Sequence, residues 1–274
     1  MYVDAHCHLD DAAFDGDRGA VIARARAAQV TGFVLAGVDP ATWARQRALV
    51  ATLPGACWTA GLHPCAAAVA PDADRVAALS ALPGCFRGPN AARGLGETGL
   101  DTRFCGKETL DVQGSVFRES LSLARSLNVP VILHLNGPGT HARALTVFSS
   151  DGLPKAGGIV HAYGGSAELV AAYVALGLHV SFAGTVCRPE ARKVHAAVRA
   201  VPPGRLLVET DAPDLAPPGH NRRNEPAALL DVAAAVAALR GETAHDVLVR
   251  SASACQNLFG CFLMRAETEK TENA

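Results

Sequence analysis

Eight short apolar segments recur along this chain, and between them lie longer stretches with helical periodicity; this alternation limits the architectures open to it. The strand candidates span residues 2–6, 32–38, 57–62, 94–99, 129–134, 158–161, 179–183 and 206–211. Segments 17–29, 40–53, 108–127, 167–176, 226–240 and 244–262 read as helices. Strands that alternate with helices pair in parallel, because a parallel neighbour is reached only through a crossover connection. Eight such units in about 250 residues match a closed (β/α)₈ barrel. The rival is an open doubly wound sheet, which usually carries a glycine-rich phosphate turn after its first strand. None follows residues 2–6. The expectation is an α/β fold: a single-domain (β/α)₈ barrel of the TIM type over residues 1–265, with a polar, frayed tail over 266–274.

Composition narrows the classes of function. A hydrophobic content of 49% with 19% charged residues is that of an ordinary soluble domain. A formal net charge of −1 argues against a broad basic surface for long nucleic acid, while leaving room for a local basic groove. The cysteines, Cys7, Cys57, Cys65, Cys85, Cys105, Cys187, Cys255 and Cys261, form no Cys-x-x-Cys pair, which speaks against a zinc ribbon. Their scatter, with no basic-then-apolar leader at the start, predicts free thiols in a reducing, cytoplasmic setting. No apolar run approaches the ~20 residues of a membrane span.

The chemistry is concentrated at strand ends. In His6-Cys7-His8 the two imidazoles fall on one side of an extended segment, because side chains in a strand alternate faces. Glu97, His134, His161 and Asp211 stand at the C-terminal ends of other strand candidates, which is where barrels carry their active sites. Imidazole suits transition metals and carboxylates supply hard oxygen. The set therefore predicts a dinuclear site at the barrel mouth. His6, His8 and Asp211 hold one ion, His134 and His161 hold the other, and Glu97 bridges them. The metal is zinc, manganese or magnesium. Of the remaining histidines, His141, His179, His195, His220 and His245 are expected at the surface or behind the ligands, and His63 is intermediate, being itself at a strand end.

These residues carry a family resemblance. Asp4-Ala5-His6-Cys7-His8-Leu9-Asp10, Gly61-Leu62-His63-Pro64, Gly96-Glu97-Thr98-Gly99-Leu100-Asp101, Val129-Pro130-Val131-Ile132-Leu133-His134, Glu209-Thr210-Asp211-Ala212-Pro213 and Asn224-Glu225-Pro226 follow one another in family order. Nearly end to end, the chain resembles the TatD family of metal-dependent deoxyribonucleases, within the amidohydrolase superfamily. The resemblance implies a TIM-type barrel, one or two divalent metals, and hydrolysis of phosphodiesters, typically DNA. Two stretches depart from it. An arginine is usual two residues after the strand-five histidine, and Asn136 stands there; Arg143, on the next turn, is the candidate replacement. The strand-six run is His161-Ala162-Tyr163 where His-Cys-Phe is usual.

Strand parity places Asp4 two residues before His6 and Glu209 two before Asp211, so both are expected inside the barrel, orienting ligand histidines or binding an interior arginine. Arg222 and Arg223, in the loop after the last strand, are candidate phosphate contacts. His63 is a further candidate substrate contact, and Tyr163 or Phe104 offers a ring to stack on a base. The expected activity is a 3′-5′ deoxyribonuclease acting on DNA or oligonucleotide ends, with Asp211 and Glu97 as catalytic carboxylates and a metal-held hydroxide as nucleophile. Neither a membrane nor an obligate protein partner is expected. The same site also suits a small-molecule amidohydrolase or esterase acting on a lactone, cyclic amide or aminoacyl ester; a non-catalytic binding barrel is the third alternative. A serine hydrolase lacks its Gly-x-Ser-x-Gly elbow here.

Overall fold

A computed structural model describes residues 1–220 and 223–261; the expected tail at 266–274 and Arg222 lie outside the described residues. Eight parallel strands hydrogen-bond in chain order: β1 (Tyr2–Cys7), β2 (Val30–Leu35), β3 (Ala56–Ala60), β4 (Gly94–Asp101), β5 (Val131–Asn136), β6 (Gly158–Val160), β7 (Leu178–Phe182) and β8 (Leu206–Val208). Among the described residues ten α-helices surround them: α1 (Arg18–Ala27), α2 (Pro40–Thr52), α3 (Pro64–Val69), α4 (Asp72–Cys85), α5 (Leu110–Leu127), α6 (Thr140–Asp151), α7 (Ala167–Ala175), α8 (Arg192–Ala200), α9 (Leu229–Arg240) and α10 (Ala244–Phe259). Each expected strand is present. β6 and β8 stop short, so His161 and Asp211 sit just beyond them.

Local chemistry sets the boundaries. Helix α2 starts at a capping box, with Asp39 accepting from the Thr42 N–H and the Thr42 hydroxyl accepting from the Asp39 N–H, and Pro40 fits the first turn. Helix α5 buries Gln113, Val116, Phe117, Ser120, Leu121 and Ala124, a stripe at helical spacing. It ends at Asn128 in the left-handed conformation (φ 50°).

Val3, Ala5, Val34, Cys57, Ile132, Ile159 and Leu207 form one apolar cluster with Ala252, Cys255 and Phe259 of α10. Residues from six strands meet only in the lumen of a barrel, so this cluster is its floor. Two residues on from Ile132, Ile159 and Leu207, along the chain, come His134, His161 and Glu209. The ring of strands closes between the ends of β8 and β1. There the Asp211 N–H donates to the His6 carbonyl (2.9 Å) and the His8 N–H to the Ala212 carbonyl (2.7 Å). Asp4 completes this seam by accepting from the Thr210 N–H (2.8 Å) and hydroxyl (2.5 Å).

Asp4 therefore departs from expectation: it holds backbone across the seam and orients neither an imidazole nor an arginine. The β1–β2 register shifts between Asp4 and Cys7, so simple alternation does not run through that segment. The free-thiol expectation is also corrected. Cys65 at the start of α3 and Cys105 after β4 form a disulfide, with Cα atoms 5.3 Å apart, the usual span for a bridge. The other six are free. Among the described residues no helix is long and apolar enough to cross a membrane.

Close backbone approach around β4 depends on glycine. A Cβ on Gly99 would stand 2.0 Å from the His134 carbonyl oxygen, and φ there is 147°. Gly99→Ala is expected to cost about 3 kcal/mol or more, lowering the Tm by roughly 6–12 °C. A side chain at Gly84, in α4, would meet nothing within 4 Å. Gly84→Ala is expected to be neutral or to stabilise by up to about 1 kcal/mol. Thermal unfolding of both variants checks the pair, and equal Tm values would contradict it.

Two histidines outside the cluster, His179 buried near the start of β7 and His141 half-buried on α6, set an acid limit. Burial, aided by Lys193, pushes His141 down to about 4, and burial, aided by Arg205, does the same for His179. Unfolded histidine titrates near ~6.5. The unfolded chain thus takes up protons first, so these residues' contribution is full above pH ~6.5 and is lost as pH falls toward 4. The double variant His141→Gln/His179→Gln should gain Tm relative to the parent across that window; a constant difference would contradict the assignment.

Candidate metal centre

The histidines and carboxylates expected as ligands converge at the C-terminal ends of the strands. Glu97, on β4, is 2% exposed and lies at the centre. Its Oε1 is 2.9 Å from His161 Nε2, 3.4 Å from His6 Nε2 and 3.7 Å from His134 Nδ1. Its Oε2 is 3.8 Å from His8 Nε2. Asp211 Oδ1 lies 3.2 Å from His6 Nε2 and 3.4 Å from His8 Nε2. Strand alternation does not aim Asp211; a left-handed backbone (φ 58°) does, pinned to β1 by the Asp211 N–H.

What lies behind the imidazoles fixes which nitrogen faces inward. His8 Nδ1 is 3.1 Å from the Ala36 carbonyl, so its proton belongs there and Nε2 presents a lone pair to the cluster. His134 Nε2 is 2.8 Å from Asp101 Oδ2, which leaves Nδ1 as the inward lone pair. Behind His161, Glu209 Oε1 lies 3.6 Å from Nδ1. Glu209 is itself held by the Ala162 N–H (2.6 Å) and the Ser181 hydroxyl.

Burial raises a carboxyl, yet the histidines around Glu97 and Asp211 outweigh it and hold both well below the usual carboxylate range. Conversely, burial lowers His8, but Asp211 and Glu97 overcome it and push it up to about 10. His134 and His161 are shifted upward against burial too, by Asp101 and Glu97 for the first and by Glu97 and Glu209 for the second. The site draws in positive charge.

The donor set fits divalent cations on its own geometry. Imidazole nitrogens face one another at 3.3 Å (His6 Nε2 and His8 Nε2) and 3.0 Å (His134 Nδ1 and His161 Nε2). Two lone pairs at that separation repel unless a cation lies between them, and about 3.0–3.4 Å is the edge of a polyhedron whose ligands stand ~2.1 Å from an ion. Among the described residues, three groups within this cluster each bring ligand atoms within 4.8 Å of one another: His6, His161 and Asp211; His6, His8 and Glu97; and His63, Glu97 and His134; a fourth, Cys65, Asp101 and Cys105, has its two thiols joined in the disulfide. His63 is less suited as a ligand. Its Nδ1 accepts from the Cys65 N–H (3.1 Å), so in the neutral ring Nε2 carries the proton. Burial, reinforced by His134, pushes its pKa down to about 3.

Asp101 was not singled out from the sequence. It is fully buried, and one oxygen accepts from both His134 Nε2 and Asn136 Nδ2 (3.1 Å), while the other accepts from the N–H groups of Arg103 and Phe104 (both 2.7 Å). Its signal was its place four residues after Glu97, on the same strand as it leaves the barrel. Asn136 thereby also acquires a role, holding the carboxylate that aims His134.

Several expected substrate contacts are engaged elsewhere. Arg143, on α6, pairs with Asp111 (2.8 Å) rather than reaching the histidines. Arg223 grips Asp17 through two 2.6 Å contacts and covers the Phe14 ring, fastening its loop to α1. Tyr163 is 2% exposed, donates to the Ser166 carbonyl (2.7 Å) and packs on Tyr173 and Phe182, so it has no face for a base. Phe104 is the aromatic that remains open.

Asp101→Asn should leave the fold in place but free His134 to turn. Loss of such an outer partner typically costs ~10–100-fold in metal affinity. Metal content after dialysis against graded chelator, read by elemental analysis, checks it; retention equal to the parent would contradict the role.

Comparison with known proteins agrees with this geometry. The profile of the family described as TatD related DNase matches residues 3–260. An uncharacterized metal-dependent hydrolase of Bacillus subtilis, YabD, is 32% identical over 262 residues, covering 94% of this chain and 99% of its own. A 3′-5′ ssDNA/RNA exonuclease TatD of Pantoea vagans is 34% identical over 269 residues, covering 93% of this chain and 98% of its own. The crystal structure of YjjV, a TatD homolog from Escherichia coli K12, superposes with a TM-score of 0.85 at 30% identity, covering 94% of this chain and 98% of that one. Fold, strand-end histidines and sequence thus agree, and the chain belongs to the TatD family of metal-dependent hydrolases.

Proposed function

We propose that this protein is a two-metal phosphodiesterase that removes nucleotides from the 3′ end of single-stranded nucleic acid, DNA foremost. The observation that carries the reading is Glu97: one of its carboxylate oxygens faces three imidazoles and the other faces the fourth, the placement expected of a bridge between two cations. The exonuclease name of the Pantoea relative supports the choice of substrate. In this reading His6, His8 and Asp211 would hold one cation and His134 and His161 a second, with Glu97 available to both. Bound there, divalent cations supply Lewis acidity toward a phosphoryl oxygen and make water nucleophilic near neutral pH.

The chain's own groups do the rest. Asp211 is the more open carboxylate, its side chain 13% exposed against 3% for Glu97, so it can meet a water entering from the mouth. Ionised, its carboxylate would accept the proton of the attacking water. His63, neutral with its Nε2–H free of the Cys65 contact, donates to a phosphoryl oxygen as charge grows there. Asp101 and the Ala36 carbonyl keep His134 and His8 in the tautomers the site needs.

Asp211→Asn removes the proton acceptor and is expected to lower kcat by about 10²–10⁴-fold with the fold retained. Turnover of a 5′-labelled single strand, assayed with zinc, manganese and magnesium in turn, checks it: a ladder shortening from the 3′ end is expected, abolished by chelator and restored by added metal. Hydrolysis of lactones or carboxylic esters without any oligonucleotide cleavage would overturn the reading, and near-parental turnover by Asp211→Asn would overturn the role of that carboxylate.

A further inference from the structure

We infer that Phe104 is a nucleobase platform at the mouth, a substrate-binding residue held in place by the same carboxylate that aims His134. The residue is 77% exposed, and it is the one aromatic among the exposed large apolar side chains of the described residues. Exposure alone would be unremarkable on a mobile loop, but this segment is fastened at three points. Asp101, fully buried, accepts from the Phe104 N–H and the Arg103 N–H, both at 2.7 Å. Cys105, the next residue, is bonded to Cys65, which itself donates its N–H to His63. The Thr102 hydroxyl donates to the Pro138 carbonyl (3.1 Å), in the loop after β5. An exposed aromatic on so constrained a backbone has lost the entropy that would let it fold back onto the protein.

The position selects the ligand. Asp101 touches His134 with one oxygen and the Phe104 N–H with the other, so one carboxylate links the Phe104 backbone to the histidine cluster. Arg103, beside it, is exposed and takes part in no ion pair among the described residues. A flat apolar ring next to an uncommitted guanidinium suits an unpaired base and its phosphate, and stacking tolerates any base because every base has a π face. In a duplex end both faces of an internal base are already stacked, so the platform favours single strands. This inference rests on the nuclease reading above and extends it to a named subsite.

The test uses the full chain loaded with manganese and a short single-stranded oligonucleotide, compared with versions carrying one abasic residue at successive positions from the 3′ end. For the parent, one abasic position should raise KM about 10-fold, the scale of a lost base–aromatic stack. Phe104→Ala should raise KM on the intact strand by about the same factor, feel no further effect from that abasic position, and keep kcat within about 3-fold. Phe104→Trp should restore the parental KM. Binding of the same strand, read by fluorescence anisotropy, should weaken about 10-fold in Phe104→Ala even without turnover. Unchanged affinity in Phe104→Ala, or additive losses from the variant and the abasic residue, would overturn the platform while leaving the nuclease reading intact. Binding that depends on Phe104 with no cleavage by the parent would sustain the platform and overturn the nuclease reading.

Discussion

A carboxylate with almost no exposure, Glu97, is surrounded by four imidazoles, and the positions of the other ligands follow from that arrangement. Removing an ionised carboxylate from water costs several kcal/mol unless positive charge meets it. The histidines alone answer that demand only by taking up protons, which burial opposes. Divalent cations answer it without that conflict, and the lone pairs of His8 and His134 are already turned to receive them. The need to bring β4 close to its neighbours explains why glycine recurs there. The Glu97 N–H donates to the Gly37 carbonyl at 2.6 Å, and a Cβ on Gly61 would stand 2.4 Å from the Glu97 carbonyl oxygen.

Three of the four clustered histidines have an outward neighbour as well as an inward one, from different parts of the barrel, while His6 Nδ1 is buried with no hydrogen-bond partner. His8 leans on the β2 end through Ala36, His134 on β4 through Asp101, and His161 on the β8 end beside Glu209. The ring of strands is thereby cross-braced at the level of the chemistry. Closure of the ring is settled at the same level, since the Asp211 N–H bonds the His6 carbonyl and the Asp4 carboxylate takes the donors of Thr210. Barrel closure and ligand placement therefore depend on one set of contacts at the β1–β8 seam.

The barrel could be read from the chain because its eight strands are short apolar runs separated by amphipathic stretches, a pattern that local composition carries. The cluster of histidines and acids could be anticipated because such residues at strand ends have few structural reasons to recur in register. Partners across space could not. Nothing in the spacing of Cys65 and Cys105, 40 residues apart, says that α3 and the loop after β4 meet. Arg143 and Arg223 announce charge but not the aspartates that claim it. Parity failed at Asp4, where β1 shifts register, and at Asp211, where the strand has already ended and a left-handed residue turns the chain. Asp101 lay within a segment already singled out, yet its use as a brace depends on the β4–β5 register that sets it opposite Asn136.

Charge at the mouth is organised differently from that of a protein that tracks a duplex. Arg18, Arg24, Arg143 and Arg223 are each tied to a carboxylate, and the chain as a whole carries a net charge of −1. A broad positive field, the source of salt-dependent affinity for long nucleic acid, is therefore missing from these positions. On the proposed reading, attraction for a phosphate ester must come from the buried cations and from the few groups beside them, chiefly Arg103 and the Phe104 ring. Such a site gains little from contacts far along a strand and most from the residues nearest the scissile bond. On that same proposed reading, a chain end suits such a site, because a single unpaired nucleotide can enter the mouth without a long basic track to guide it.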